Sequence, residues 1–173
     1  MKIEDNFLNE EEFIQLQQFM ISNHFCWHYN DTIVNWPPLR EHEHQFQFIY
    51  MFFQHDLGPN RNFHIIEPIL KKLKIDNSNI IRVKANLTTR TEKHDESEFH
   101  TDVETNKIAT TSIFYINTTN GYTEFKDGTK VEGIANRMVT FPSDTYHRGV
   151  TSTDNKIRVV VNFNYIGASS SVG

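Results

Sequence analysis

A single cysteine, Cys26, stands in a chain of 173 residues, so no disulfide can form within it and the fold must be held by its core. That scarcity fits a reducing compartment. No apolar leader-type stretch follows Met1, and together with the lone cysteine this makes a cytoplasmic setting the expectation. No segment has the roughly 20 consecutive apolar residues that cross a bilayer, which weighs against a membrane-spanning role. Basic charge is also scarce. Lys and Arg number 17 against 22 Asp and Glu, a formal net charge of −5 with a pI near 6.0, whereas phosphate backbones are bound by basic faces. Nucleic acid is therefore disfavoured as a partner, and Lys71-Lys72-Leu73-Lys74 is read as a solvated helix face. There is no internal repeat, and low complexity is confined to Ser169-Ser170-Ser171 in a tail, 167–173, expected to be flexible.

What the chain does have is aromatic bulk and strand-forming sequence. Fourteen Phe concentrate the burial in large units, and the length suits one domain, 1–173, with a single substantial core. Asn9 is placed to cap a helix with Glu10-Glu11-Glu12 in its first turn and Phe13, Leu16 and Met20 along its apolar stripe. A second helix is expected over 65–75, with Pro68 tolerated in its first turn and Lys71, Lys72 and Lys74 facing solvent. The stretch 30–64 has no sustained period and is expected to be part helix and part mobile loop. Strands are predicted at 80–88, 99–103, 108–117, 122–126, 129–133, 137–141, 147–151 and 157–165, with turns at Asn120-Gly121 and Asp127-Gly128. Helices first and many short strands afterwards define an α+β chain. The expected architecture is a double-stranded β-helix (jelly roll) with its N-terminal helices packed on one sheet: a helical and loop support region, 1–79, and a jelly-roll core, 80–166.

The chemistry lies in the order His100, Asp102, His147, Arg158. On a strand, positions i and i+2 share a face, so His100 and Asp102 can point inward together. His147 follows 45 residues beyond Asp102, enough for intervening strands to leave and return. Two imidazoles and one carboxylate on one side of a metal leave the opposite positions open, the facial set of non-haem Fe(II) sites. Arg158 sits in Ile157-Arg158-Val159-Val160-Val161-Asn162-Phe163, a β-branched run that predicts a buried strand. A buried guanidinium needs an anion, and a carboxylate on a ligand would answer its fork.

At these residues the chain resembles the 2-oxoglutarate/Fe(II)-dependent dioxygenases, most closely their prolyl-4-hydroxylase-like branch. Ser112-Ile113-Phe114-Tyr115-Ile116-Asn117 looks like that branch's strand after the His-x-Asp. Asn120-Gly121-Tyr122-Thr123-Glu124-Phe125 resembles its Gly-containing hairpin, and Asn136-Arg137-Met138-Val139-Thr140-Phe141-Pro142 its strand before the distal His. The likeness covers about 80–165. It implies Fe(II) held by His100, Asp102 and His147, with 2-oxoglutarate and dioxygen as co-substrates. It also implies that Arg158 and Tyr115 hold the far carboxylate of 2-oxoglutarate, with Ile113 on the same face and Asn86 nearby. The implied reaction is hydroxylation of an aliphatic C–H with release of succinate and CO2, on a peptidyl substrate, prolyl among them, or on a small molecule. Family halogenases replace the metal carboxylate with a small residue, so an intact Asp102 favours hydroxylation. The branch that demethylates nucleic acid carries a second Arg six residues after the first, where this chain has Asn164. The stretches 30–60 and 89–98 are expected to set specificity at the barrel mouth.

Other readings of the same residues belong beside this one. A jelly roll of cupin type can bind a metal or a carboxylate without catalysis, although a structural site has no need of an Arg158 and Tyr115 anchor. Two His and a carboxylate with water also make a hydrolytic zinc set, but no further general base is placed by the sequence. His42 and His44 form a His-x-His pair in charged surroundings that suit a solvated segment. His94-Asp95-Glu96 suits a loop.

Overall fold

The computed structural model describes residues 1–34, 42–102 and 108–167. A short strand, β1 (Lys2–Glu4), precedes helix α1 (Glu10–Ile21). Asn9 caps that helix as expected. Its backbone is extended and its side chain accepts the Glu12 N–H at 2.9 Å, while Glu10, Glu11 and Glu12 lie at the positive helix end. Leu16 and Met20 are buried and Phe13 packs beside them.

The stretch 30–64 departs from expectation. After β2 (His28–Asn30) it holds an eight-residue strand, β3 (Gln47–Gln54), then β4 (Gly58–Pro59) and a 3-10 turn, Phe63–Ile66. Tyr50 and Phe52 are buried on one face of β3, while Ile49, Met51 and Phe53 are half-buried on the other. Apolar residues on both faces erase the alternation by which a strand is recognised. Residues 35–41, with Trp36-Pro37-Pro38, lie outside the described residues. The 3-10 turn runs into α2 (Glu67–Leu73), with Pro68 in its first turn and Lys74 in the left-handed region at φ 56° closing it.

The strands that follow are β5 (Ile80–Thr89), β6 (Ala109–Tyr115), β7 (Thr119–Phe125), β8 (Lys130–Gly133), β9 (Met138–Pro142), β10 (His147–Gly149) and β11 (Ile157–Ile166). The large antiparallel sheet runs β1-β9-β6-β11-β5-β3-β2, with β4 paired to β3, and the small sheet runs β10-β7-β8. Two expectations are corrected. Of the strand expected at 99–103, Val103 lies outside the described residues and the rest is reduced to one bridge, in which His100 and His147 exchange main-chain hydrogen bonds at 2.9 and 3.0 Å. Asn120-Gly121 is not a turn: both residues lie within β7, at a register shift against β8. The other turn signal holds, since Gly128, at φ 88°, closes the β7–β8 hairpin and the Asp127 carboxylate accepts the Thr129 N–H.

Alternation along β11 divides the interior in two. Val159, Val161, Phe163 and Tyr165 join Leu16, Met20, Ile69 and Leu70 in the core beneath the helices. Val160, from the opposite face, joins Ile113, Tyr115, Phe125, Val131, Val139 and Phe141 between the two sheets. This is the double-stranded β-helix with helices on one sheet. The polar residues interleaved on β5 and β11 open toward the inter-sheet side, where the cavity lies.

Candidate metal centre

His100 and His147 meet across their single bridge, their rings 4.8 Å apart at the centroids. Each Nδ1 faces a main-chain carbonyl two residues back in the chain, Glu98 O at 3.1 Å and Thr145 O at 3.0 Å. A carbonyl only accepts, so each Nδ1 carries the hydrogen and each Nε2 presents a lone pair. Both Nε2 atoms face Asp102, His100 at 3.8 Å from Oδ1 and His147 at 3.7 Å from Oδ2. The three ligand atoms lie within 4.8 Å of one another, so the structure brings together the set that the sequence singled out.

The burial of this group is uneven. The Asp102 and His147 side chains are each 3% exposed and His100 is 24% exposed, so the centre opens on the His100 side. Burial presses the His100 pKa down, reinforced by His147, and thus favours the neutral, ligating form. For Asp102, burial alone would raise the carboxyl pKa. The facing His147 and His100, then Arg82 and the Asn164 amide, outweigh it and hold the group below its ordinary value. Thr111 Oγ1 donates to Asp102 Oδ2 at 3.0 Å, Asn164 Nδ2 donates to the same oxygen at 3.2 Å, and Arg82 lies 3.5 Å from Oδ1. Arg82 also donates to Asn164 Oδ1 at 3.1 Å. Sequence reasoning missed these three supports. Their signal was there, in the alternation that sets Asn164 and Arg82 side by side across β11 and β5.

The cavity beside the candidate metal ligands, open to solvent at its mouth, is lined by Asn86, Ile113 and Arg158 among others. Arg158 is buried at 6% exposure. Its NH2 group donates to Tyr122 O at 3.3 Å and Thr123 Oγ1 at 3.2 Å, while Nε has no partner. Burial lowers its pKa, and no carboxylate among the described residues pairs with it. A buried guanidinium so placed lacks a counter-charge. The Tyr115 hydroxyl is turned to Thr123 Oγ1, at 2.7 Å, and reaches the cavity through it. Thr123 thus accepts from both Tyr115 and Arg158 and keeps its own hydroxyl hydrogen for a ligand. It is a site residue that sequence reasoning did not find. The Asn86 side chain lines the cavity with Oδ1 unpartnered.

Gly121 explains its own place. A Cβ there would sit 2.8 Å from Arg158 Cδ and 2.8 Å from Val150 O, so the guanidinium stem passes where only glycine leaves room. Gly121→Ala is expected to cost about 1–3 kcal/mol of stability and to push Arg158 out of line. The melting temperature should fall accordingly; an unchanged melting temperature would show that the Arg158 stem is not constrained here.

The remaining predicted loci lie nearby. His44 Nε2 pairs with Asp95 at 2.9 Å, and Gln45 donates to the same carboxylate at 2.8 Å and to Glu96 O at 2.9 Å, so the segment after 41 is tied to the loop 94–96. His94 faces Thr151 O at 2.7 Å. Ile33, Gln47 and Ser97 line the cavity, which puts parts of both predicted specificity stretches at the site.

No family model matches the chain, and no curated protein matches it. Solved structures do. A non-haem α-ketoglutarate-dependent epimerase, SnoN from nogalamycin biosynthesis, superposes with a TM-score of 0.62 at 11% identity, covering 96% of this chain and 76% of that one. A Trichoplax adhaerens prolyl hydroxylase, solved with a hypoxia-inducible-factor degradation-domain peptide, gives 0.59 at 13% identity, over 95% and 82%. A Pseudomonas putida prolyl-4-hydroxylase gives 0.57 at 12% identity, over 96% and 92%. The fold shared with these oxygenases is the double-stranded β-helix.

Proposed function

We propose that the protein is a 2-oxoglutarate- and Fe(II)-dependent oxygenase that hydroxylates an aliphatic C–H. The observation that carries this reading is the pairing, in one cavity, of a His-Asp-His group with a buried guanidinium that has no anion of its own. The donor set suits Fe(II), being two imidazoles with outward-held lone pairs and one carboxylate. The guanidinium suits the far carboxylate of 2-oxoglutarate, which a metal-only module or a zinc hydrolase would not require.

Bound together, Fe(II), 2-oxoglutarate and dioxygen supply oxidative decarboxylation to succinate and CO2, with one oxygen atom entering the substrate C–H. His100, Asp102 and His147 would hold the metal. Thr111, Asn164 and Arg82 fix the Asp102 carboxylate, and the Glu98 and Thr145 carbonyls fix the two imidazoles. Arg158, with the Thr123 hydroxyl and Tyr115 behind it, would hold the co-substrate. Asn86 and Ile113 would border it. The substrate would enter past the more exposed His100, between the Ile33/Gln47 side and Ser97. A peptide, prolyl or other, and a small molecule both fit that description, and the peptide-bound relative supports the first. The test is conversion of 2-oxoglutarate to succinate: it should require both Fe(II) and dioxygen. Succinate formation in the absence of either, or none with both present, would refute the reading.

A further inference from the structure

The cavity holds a second cation that the reaction above leaves unused. Lys84 lies on β5 two residues before Asn86, opposite Asn162 of β11 and Met51 of β3, and its side chain lines the cavity. It makes no hydrogen bond or ion pair with any described residue. Lys84 is half-buried, and a lysine drawn out of water seldom goes without a partner, because its ammonium is strongly hydrated and loses that hydration on leaving water. Nearby groups answer it only in part. Arg82 repels it, and the Asp102 carboxylate, which favours the ammonium, already carries Thr111, Asn164 and Arg82 and faces the metal position.

A count of charge points the same way. Among the lining residues the formal charges are Lys84, Arg158 and Asp102. With a divalent ion added, Lys84 and Arg158 bring the positive total to four; Asp102 and the two carboxylates of 2-oxoglutarate make three negative. One positive charge remains, and Arg158 sits by Thr88 at the far end of the β5–β11 pair, whereas Lys84, opposite Asn162, lies four ladder positions nearer the metal. The neighbouring wall is polar as well: Asn86 and Asn162 each present a side-chain oxygen without a partner, suited to an N–H or O–H on the same ligand.

We infer that Lys84 binds a carboxylate of the substrate, so that the substrate is a small organic acid bearing its own hydrogen-bond donors, such as a free amino or hydroxy acid. This rests on the oxygenase reading and narrows it. In the unliganded cavity desolvation lowers the Lys84 pKa to about 8, with Arg82 adding to the effect and Asp102 opposing it, and an arriving carboxylate would restore the ammonium.

The test uses the full chain loaded anaerobically with Fe(II) and 2-oxoglutarate, where the visible band of the metal chelate reports that the co-substrate is in place. Into this complex are titrated the twenty common L-amino acids, simple 2-hydroxy acids and monocarboxylic acids, each beside its primary amide. An amidated proline-rich peptide without carboxylates is titrated in parallel, and binding is followed by calorimetry. At least one acid should bind more tightly than about 1 mM. Its amide should bind at least about thirty-fold more weakly, and Lys84→Met should lose the same factor while no longer distinguishing acid from amide. The chelate band should keep its height in Lys84→Met. Absence of any acid tighter than about 1 mM, acids and amides binding alike to the unsubstituted protein, or binding of the neutral peptide alone would overturn the inference. So would a Lys84→Met protein whose loss lies in 2-oxoglutarate binding. The acid-against-amide comparison needs no substitution and stands even if Lys84→Met misfolds. If the chelate band never forms, the oxygenase reading itself has failed; if it forms and Lys84 is inert, only this inference has.

Discussion

His100→Ala is expected to empty the metal centre, with iron content falling from one per chain to background and succinate formation falling with it. Substituting a residue that merely orients a metal ligand typically costs 10- to 100-fold in affinity or activity, so removing a ligand should cost at least about a hundredfold. His100 is the informative position because its side chain is 24% exposed and its loss leaves no large void. His147 is less simple. Its ring packs 4.8 Å from Phe141 and 6.1 Å from Phe125, so His147→Ala removes a ligand and opens the inter-sheet core together. Thermal unfolding separates the two effects, since His100→Ala should retain the melting temperature of the apo protein and His147→Ala should not. Near-normal iron content in both variants would dismiss the assignment.

Arg158→Ala should leave iron content intact and raise the KM for 2-oxoglutarate by a large factor. Truncating one partner of a buried charge pair costs about 2–5 kcal/mol, which corresponds to about thirty-fold to a few thousand-fold in affinity. Arg158→Lys should recover part of this, because it keeps the charge without the fork. Tyr115→Phe should act more mildly, since the Tyr115 hydroxyl reaches the cavity only through Thr123; about 1 kcal/mol is expected from one neutral hydrogen bond. Arg137 offers no substitute anchor: its guanidinium is held by Asp5 at 2.6 and 3.0 Å. An Arg158→Ala protein with unchanged dependence on 2-oxoglutarate would transfer the anchor to Lys84, the other cation in the cavity wall.

The candidate metal ligands were legible because their order and the β-branched run around Arg158 survive any shift of a residue or two in strand boundaries. The strand drawn through His100 was not needed for the result; a single bridge to His147 is enough to aim both rings. Asn9 and Asp127-Gly128 were legible because capping and tight turns are local. Asn120-Gly121 misled for a physical reason. A glycine reports a missing Cβ, and the need for that gap can come from a turn or, as here, from the Arg158 stem crossing the strand. The strand β3 was hidden by apolar residues on both faces. Thr123 and Lys84 share the cavity, and nothing in a linear sequence tells which polar strand residues line one cavity until the strands are paired.

Anaerobic addition of Fe(II) and 2-oxoglutarate to the full chain, followed in the visible spectrum, tests the central claim most directly. A weak charge-transfer band should appear only when both are present, be absent in His100→Ala, and need far more 2-oxoglutarate in Arg158→Ala. A protein that binds iron but never develops the band, or one whose band is indifferent to Arg158, would contradict the account.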